Sequence, residues 1–230
     1  MIILALDTTT KDGSIAVVHD GVVRVERVGD GSVTHGQRLP NEVAATLSAA
    51  AVDIREVDLL AVASGPGSFT GLRIGIATVQ GLAMAHDLRV VPVSALDALA
   101  RAAVNPHHRI ASWMDAQRGE VFAALYAADG RDLLIPAVSA VPTAVLKTWA
   151  GTIDLTQVTF IGDGAIHHAD AIMNEVAGDV RVLPPPPLAG LIGQIAAEDP
   201  ARAVLPHAIV PIYVRKSDAE LARARRTVAP

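Results

Sequence analysis

Two rhythms of apolar and polar residues run along the chain, and the switches between them mark its elements. A short apolar run, "IILALD", is followed by "SIAVVHDGVVRVERV", two β-branched runs on either side of Asp20-Gly21. Such runs joined by Asp-Gly predict a hairpin with a two-residue turn, so three strands come first. Leu39, Val43, Leu47 and Ala50 then recur at helical spacing. "VDLLAVAS" is apolar enough for a strand buried on both faces, and it leads through a glycine-rich loop into a long helix. After "RVVPV" a helix starts at Ser94, where Ser94 and Asp97 have capping-box spacing. The order is βββαβαβα.

The same order returns after "NPHHR". "IASWMDAQ", "GEVFAALYAADG" and "RDLLIPAVSA" read as three more strands, followed by a helix near 141–149 and the strand "QVTFIGDGA". A helix over 165–176, the strand "VRVL" and a helix after "PPPP" complete it. The halves share no visible sequence, so the repeat is one of pattern. A duplicated α/β unit predicts two mixed-sheet lobes, residues 1–104 and 105–230, facing each other across a cleft. Right-handed crossovers would bring the loops after the parallel strands to that cleft.

Composition narrows the functions. Hydrophobic residues make up 51% of the chain and aromatics 3%, so the core is expected to be Ala, Val, Leu and Ile. Net charge is −5 and the only lysines are Lys11, Lys147 and Lys216, which leaves no broad basic surface for an RNA backbone. The basic group Arg215, Lys216, Arg223, Arg225 and Arg226, offset by Asp218 and Glu220, reads as a solvated terminal helix more readily than as a nucleic-acid contact. The absence of cysteine excludes disulfides, zinc-thiolate sites and thiol nucleophiles. "MIILALD" lacks the basic flank of a signal peptide, and no segment reaches the roughly 18 apolar residues of a membrane span, so a soluble, cytoplasmic chain is expected.

The most unusual stretch is "SGPGSFTGLRIGIATVQGLAMAH", residues 64–86. Its loop could cradle a phosphate or admit a second backbone. It has no lysine, so it is not a phosphate-binding P-loop, and no third glycine arrives where a dinucleotide fingerprint requires it. Helix-start amides remain able to meet an anion. At 100° per residue, Leu72, Ile76, Val79 and Ala83 form a stripe suited to a sheet, and Gly71, Gly75, Thr78 and Leu82 form a narrow one beside it. Glycine in a helix costs about 1 kcal/mol relative to alanine, so two on one stripe point to close packing, against an internal neighbour or a partner chain. Asp7 ends the first strand before three threonines, the pattern of a turn residue bonded to nearby backbone N–H groups. Gly162 and Gly164 sit at a strand-to-helix junction in the second half, as Gly65 and Gly67 do in the first.

"ILALDTTTKDGSIAVV", "THGQRLP" and above all "SGPGSFTGLRIGIATVQGLA" resemble the bacterial TsaB (YeaZ) family, strongly over residues 1 to 95. "MDAQRGEVFAALY" is similar to that family's Asp-Ala-Arg-x-Gly-Glu-Val-Tyr segment but carries Gln117 where arginine is usual and Phe122 for tyrosine, and "PIYVRK" matches its closing Pro-x-Tyr-x-Arg. The resemblance implies a two-lobed actin/sugar-kinase/Hsp70 (ASKHA) fold and a non-catalytic subunit of the t6A machinery. That machinery transfers threonylcarbamoyl to N6 of adenosine 37 in tRNAs reading codons that begin with A. The implied partners are the catalytic paralogue TsaD and the ATPase TsaE, with tRNA met only through the complex and a homodimer in isolation. No cofactor is expected on this chain alone, ATP or ADP being left to the complex. Kinases of the implied fold place a carboxylate near metal-bound phosphate at the position of Asp7, so the resemblance leaves Asp7 open between that role and a turn, and it makes Asp7, Gly65, Gly67, Gly162 and Gly164 the candidate nucleotide contacts.

The paralogue's metal-binding His-x-x-x-His is missing, because His35 is followed four residues on by Leu39, so no catalytic or metal-binding residue is assigned. The adjacent pairs His107-His108 and His167-His168 should point to different faces and act as surface residues. Gly71, Leu72, Gly75, Ile76, Thr78, Val79 and Leu82 are then the candidate partner or dimer interface. The alternative is an independent small-molecule kinase or ATPase of the same fold.

Overall fold

A computed structural model describes residues 1–178 and 180–215, so the basic terminal helix expected beyond Arg215 lies outside the described residues. The first half contains β1 (Ile2–Asp7), β2 (Ser14–His19), β3 (Val22–Val28), α1 (His35–Ala49), β4 (Leu59–Gly65), α2 (Phe69–His86), β5 (Val90–Ser94) and α3 (Ala95–Ala102). The second contains β6 (Arg109–Asp115), β7 (Val121–Tyr126), β8 (Leu133–Ala140), α4 (Pro142–Ala150), β9 (Val158–Ile161), α5 (Asp163–His167), α6 (Ala169–Glu175), β10 (Arg181–Leu183) and α7 (Ala189–Glu198). The order βββαβαβα therefore occurs twice, with one change. The helix expected over 165–176 is two helices, because the chain leaves helical geometry at His168 (φ −112°, ψ 25°).

The sheets repeat as well. Their strand orders are β3-β2-β1-β4-β5 and β10-β9-β6-β7-β8, the same arrangement read from opposite edges. In each, the first three strands are antiparallel neighbours and the later two join in parallel through helical crossovers. This is the duplicated ASKHA arrangement. The first hairpin turns at Asp20 (φ 51°) and Gly21 (φ 76°), two left-handed residues whose twist suits a two-residue loop. β4 is buried along its whole length, as a central parallel strand should be.

Three apolar cores hold these layers. One lies between the first sheet and helices α1 and α2, with Leu4, Leu6, Leu39, Leu72 and Val79 among its members. Another lies outside the second sheet around Trp113, Trp149 and Phe160. The third joins the inner faces of both sheets through α3 and α7, and it unites Ile3, Ala5 and Val18 with Leu96, Leu99, Ile110, Phe122 and Ile192. Helix α7 comes from the second half yet packs on β1, β2 and β4. A boundary at residue 104 thus separates the sheets but not the layers. The close approach depends on Gly193, where an added Cβ would stand 2.5 Å from Val18 Cγ2 and 3.2 Å from Ala5 Cβ. The helix start is fixed from the first lobe, since Ser14 Oγ accepts from the Leu188 and Ala189 N–H groups (3.2 and 2.9 Å) and Glu26 accepts from Gly190 N–H (2.8 Å).

Candidate functional site

The loops at the ends of the parallel strands hold the five candidate nucleotide residues. Asp7 is 2% exposed, and its Oδ1 accepts the Thr9 N–H (2.8 Å) and the Thr9 hydroxyl. Its Oδ2 accepts the Thr10 hydroxyl at 3.2 Å. Burial pushes the carboxyl above the ordinary aspartate range, against the pull of these hydrogen bonds. Of the two roles open to Asp7, the geometry displays the turn, with both oxygens engaged locally.

A network that the sequence did not reveal fixes this loop from α1. Arg38, 8% exposed, donates to His35 Nδ1 (2.7 Å), to both Glu42 oxygens (2.8 Å), to the Val33 carbonyl (3.2 Å) and to the Asp12 carbonyl. With Nδ1 accepting from Arg38, His35 carries its proton on Nε2 and donates to the Thr10 carbonyl at 3.0 Å. Burial first and then the Arg38 charge hold this imidazole below the usual histidine pKa. The only sequence signal for Arg38 was its place one helical turn before Glu42.

Each candidate glycine meets another backbone or loop. A Cβ on Gly65 (φ 114°) would lie 2.6 Å from the Ile212 carbonyl oxygen, and one on Gly67 (φ 153°) 2.5 Å from Thr9 Cβ. In the second lobe, a Cβ on Gly162 (φ 125°) would lie 2.0 Å from the Trp113 carbonyl oxygen, and one on Gly164 2.7 Å from the Met114 carbonyl carbon. Of the two readings of the glycine-rich loop, close approach of a second backbone is the one visible in the geometry. Both lobes use the same device, pressing the loop after one parallel strand onto the end of its neighbour.

At the tip of the β6–β7 hairpin, Gln117 and Arg118 both have φ 61°. Gln117 turns back and donates to Asp115 from its backbone N–H and from Nε2, each at 2.8 Å. Asp163 accepts from the Asp115 N–H at 3.1 Å, and burial raises its carboxyl pKa. The expectation that His167 and His168 point apart is corrected: the helix ends between them, and their rings stack at 4.8 Å. Among the described residues, no group of three or more His, Asp or Glu side chains is placed to hold a metal ion.

The candidate interface also needs correction. Leu72, Ile76 and Val79 face the sheet, at 1%, 7% and 0% exposure. Gly71 and Gly75 are buried too, because their Cβ positions would fall 2.1 Å from the Thr8 carbonyl oxygen and 2.1 Å from Thr8 Oγ1. The narrow stripe therefore receives the β1–β2 loop of the same chain, and only Thr78 and Leu82 remain half-buried at its edge. Along one outward stripe α2 shows Arg73, Ala77, Gly81 and Met84 to solvent, the last 78% exposed. Beside it α1 exposes Pro40, Asn41, Ala44, Ala45 and Ser48. Together they make a face of mostly small side chains, on which Met84 is the large apolar residue and Arg73 the one exposed charge.

Comparison with known proteins gives consistent results. The family model for TsaD, tRNA N6-adenosine threonylcarbamoyltransferase, matches residues 30–222. The tRNA threonylcarbamoyladenosine biosynthesis protein TsaB of Haemophilus influenzae is 37% identical over 123 residues, 52% of this chain and 51% of that protein, so the match spans about half of that relative. TsaB of Bacillus subtilis is 28% identical over 96% of each chain. The solved structure of YeaZ from Pseudomonas aeruginosa superposes with a TM-score of 0.76 at 30% identity, covering 92% of this chain and 99% of that one.

Proposed function

The chain belongs to the bacterial TsaB (YeaZ) family of tRNA threonylcarbamoyladenosine biosynthesis proteins, and on that premise we propose that it is a non-catalytic, activating subunit of the t6A assembly. In this reading it pairs with a TsaD-type catalytic paralogue, works with the ATPase TsaE, and meets tRNA through the complex in the cytoplasm. The observation that carries the reading is how the chain uses the residues its fold would offer to a nucleotide. Asp7 is engaged by Thr9 and Thr10, and Gly65, Gly67, Gly162 and Gly164 are consumed by backbone crossings. Meanwhile α1 and α2 turn a nearly uncharged face of small residues to solvent. Such a face permits close helix approach and suits pairing, with the partner or with a second copy when the partner is absent.

Reconstitution tests it. The isolated chain should transfer no threonylcarbamoyl, and adding the TsaD-type subunit, TsaE, threonylcarbamoyl-adenylate and tRNA should restore modification. Turnover by this chain alone, with contaminants excluded by mass spectrometry, would sink the reading. Micromolar ATP binding in the presence of magnesium, abolished by Asp7→Ala, would promote the kinase alternative.

A further inference from the structure

We propose that Arg73, lying on Phe69 and tethered to Tyr213, is a preformed receptor for a carboxylate of the protein partner that covers the α1/α2 face. The proposal rests on the pairing reading above and names the chemistry of its anchor. Most of the chain's few aromatics are interior: Trp113, Trp149, Phe160, Phe122 and Tyr126 are all buried. Phe69 and Tyr213 are instead 43% and 47% exposed, and their ring centroids lie 5.5 Å apart. Phe69 opens α2. Tyr213 arrives on the C-terminal segment, which is secured where the Ile212 N–H donates to the Ser64 carbonyl at 2.7 Å.

Arg73, one helical turn beyond Phe69, places its Cζ 3.9 Å from the centre of the Phe69 ring and donates from Nε to the Tyr213 hydroxyl at 3.4 Å. Its two Nη groups have no partner among the described residues. Arg38, Arg101, Arg131 and Arg215 are by contrast each paired with a glutamate. A guanidinium fixed on a ring has already lost much of its rotamer freedom, and its remaining fork matches a carboxylate in two parallel hydrogen bonds. Exposed Phe, Tyr and Arg are residue types enriched at protein interfaces, and Tyr and Arg are among the commonest hot-spot residues. Arg73 belongs to the same outward stripe as Ala77, Gly81 and Met84, so the anchor is continuous with the small-residue face.

Charge decides the class of occupant. A nucleobase stacked here would bring phosphates, and Arg215, two residues beyond Tyr213, is committed to Glu120 at 3.5 Å in a chain of net charge −5. A second copy of this chain offers little to Arg73, since Glu42 is engaged by Arg38 and the face otherwise exposes no acid before Asp87, beyond the end of α2. A different protein presenting Asp or Glu beside an apolar side chain, here the TsaD-type paralogue, fits best.

The test is calorimetric titration of the full chain with that paralogue at low and high ionic strength. Arg73→Gln should weaken binding by about 10- to 100-fold at low salt and flatten its salt dependence, with Arg73→Lys recovering only part. Affinity within about twofold of wild type would overturn the proposal, as would an equal loss at both salt levels with a lowered Tm, the mark of a structural latch. Equal weakening of self-association would assign the carboxylate to a second copy. Loss of tRNA binding by the complex at unchanged subunit affinity would assign the platform to a nucleobase. Gly81→Trp separates the two levels of inference: if it blocks pairing and Arg73→Gln does not, only the anchor fails, and if neither acts, the pairing face itself is wrong.

Discussion

The Asp7 carboxylate is held on both oxygens by Thr9 and Thr10 of its own loop, while burial works against its charge. Its position at the end of the first strand of this fold suggests a phosphate-site carboxylate, and "DTTT" equally suggests a turn. Which applies depends on where the threonine hydroxyls point, and a string of letters does not state that. Because burial raises its pKa in the folded state above the ordinary 3.8, the fold binds this proton more tightly than the unfolded chain does. The stabilisation linked to it is fully present below that ordinary value and is lost as pH rises through the raised one. Asp7→Asn keeps an acceptor for the Thr9 N–H and removes the buried charge. Its melting temperature should equal or exceed wild type at pH 7, with the difference shrinking as pH falls toward 4. A variant less stable than wild type at pH 7 would show that the hydrogen bonds from Thr9 and Thr10 outweigh the cost of burying the charge.

Helix α2 marks what periodicity reveals about an element and what it does not. Its 100° spacing correctly gave the sheet-facing stripe, since Leu72, Ile76, Val79 and Ala83 are all buried, and it marked Gly71 and Gly75 as sites of close packing. The neighbour was beyond its reach, because Thr8 belongs to a loop brought alongside only when β1 and β4 pair. Capping was half legible in the same way. Ser94 Oγ accepts the Asp97 N–H at 3.3 Å, but the Asp97 carboxylate turns toward the other sheet to accept the hydroxyl of buried Tyr126 (2.7 Å), instead of closing the box. One substitution tried at two sites on α2 tests this account. Gly81→Ala has nothing within 4 Å of its new methyl group and should stabilise by about 1 kcal/mol through helix propensity. Gly75→Ala gains the same propensity but puts a methyl 2.1 Å from Thr8 Oγ1, and should be destabilised by about 1–3 kcal/mol in urea unfolding. Equal shifts at the two positions would mean that the β1–β2 loop does not rest on α2.

At the scale of the whole molecule, the duplicated βββαβαβα order was legible because each half keeps its own strand and helix rhythm. The contents of the space between the lobes were not. An open cleft is the natural expectation for two facing lobes, yet the interior is filled by α3 and α7 against both sheets. Polar ties reinforce this filling. Ser14 and Glu26 hold the start of α7 from the first lobe, and at its other end Glu198 pairs with Arg101 (2.8 Å) and with Arg131 (2.7 Å) of the β7–β8 turn. Movement of the lobes as two rigid bodies would have to break a shared apolar core, which suits a scaffold better than a clamp that closes on substrate. It follows that the halves should not fold as separate domains. A fragment of residues 1–104 loses α7 and exposes the inner face carrying Ile3, Ala5, Ala16 and Val18. That fragment should show no cooperative melting transition, whereas the full chain should melt in one, with calorimetric and van't Hoff enthalpies in agreement. Two resolved transitions in the full chain, or a cooperatively folded fragment, would mean that the lobes are stable on their own and that the core between them is a docking contact instead of a common foundation.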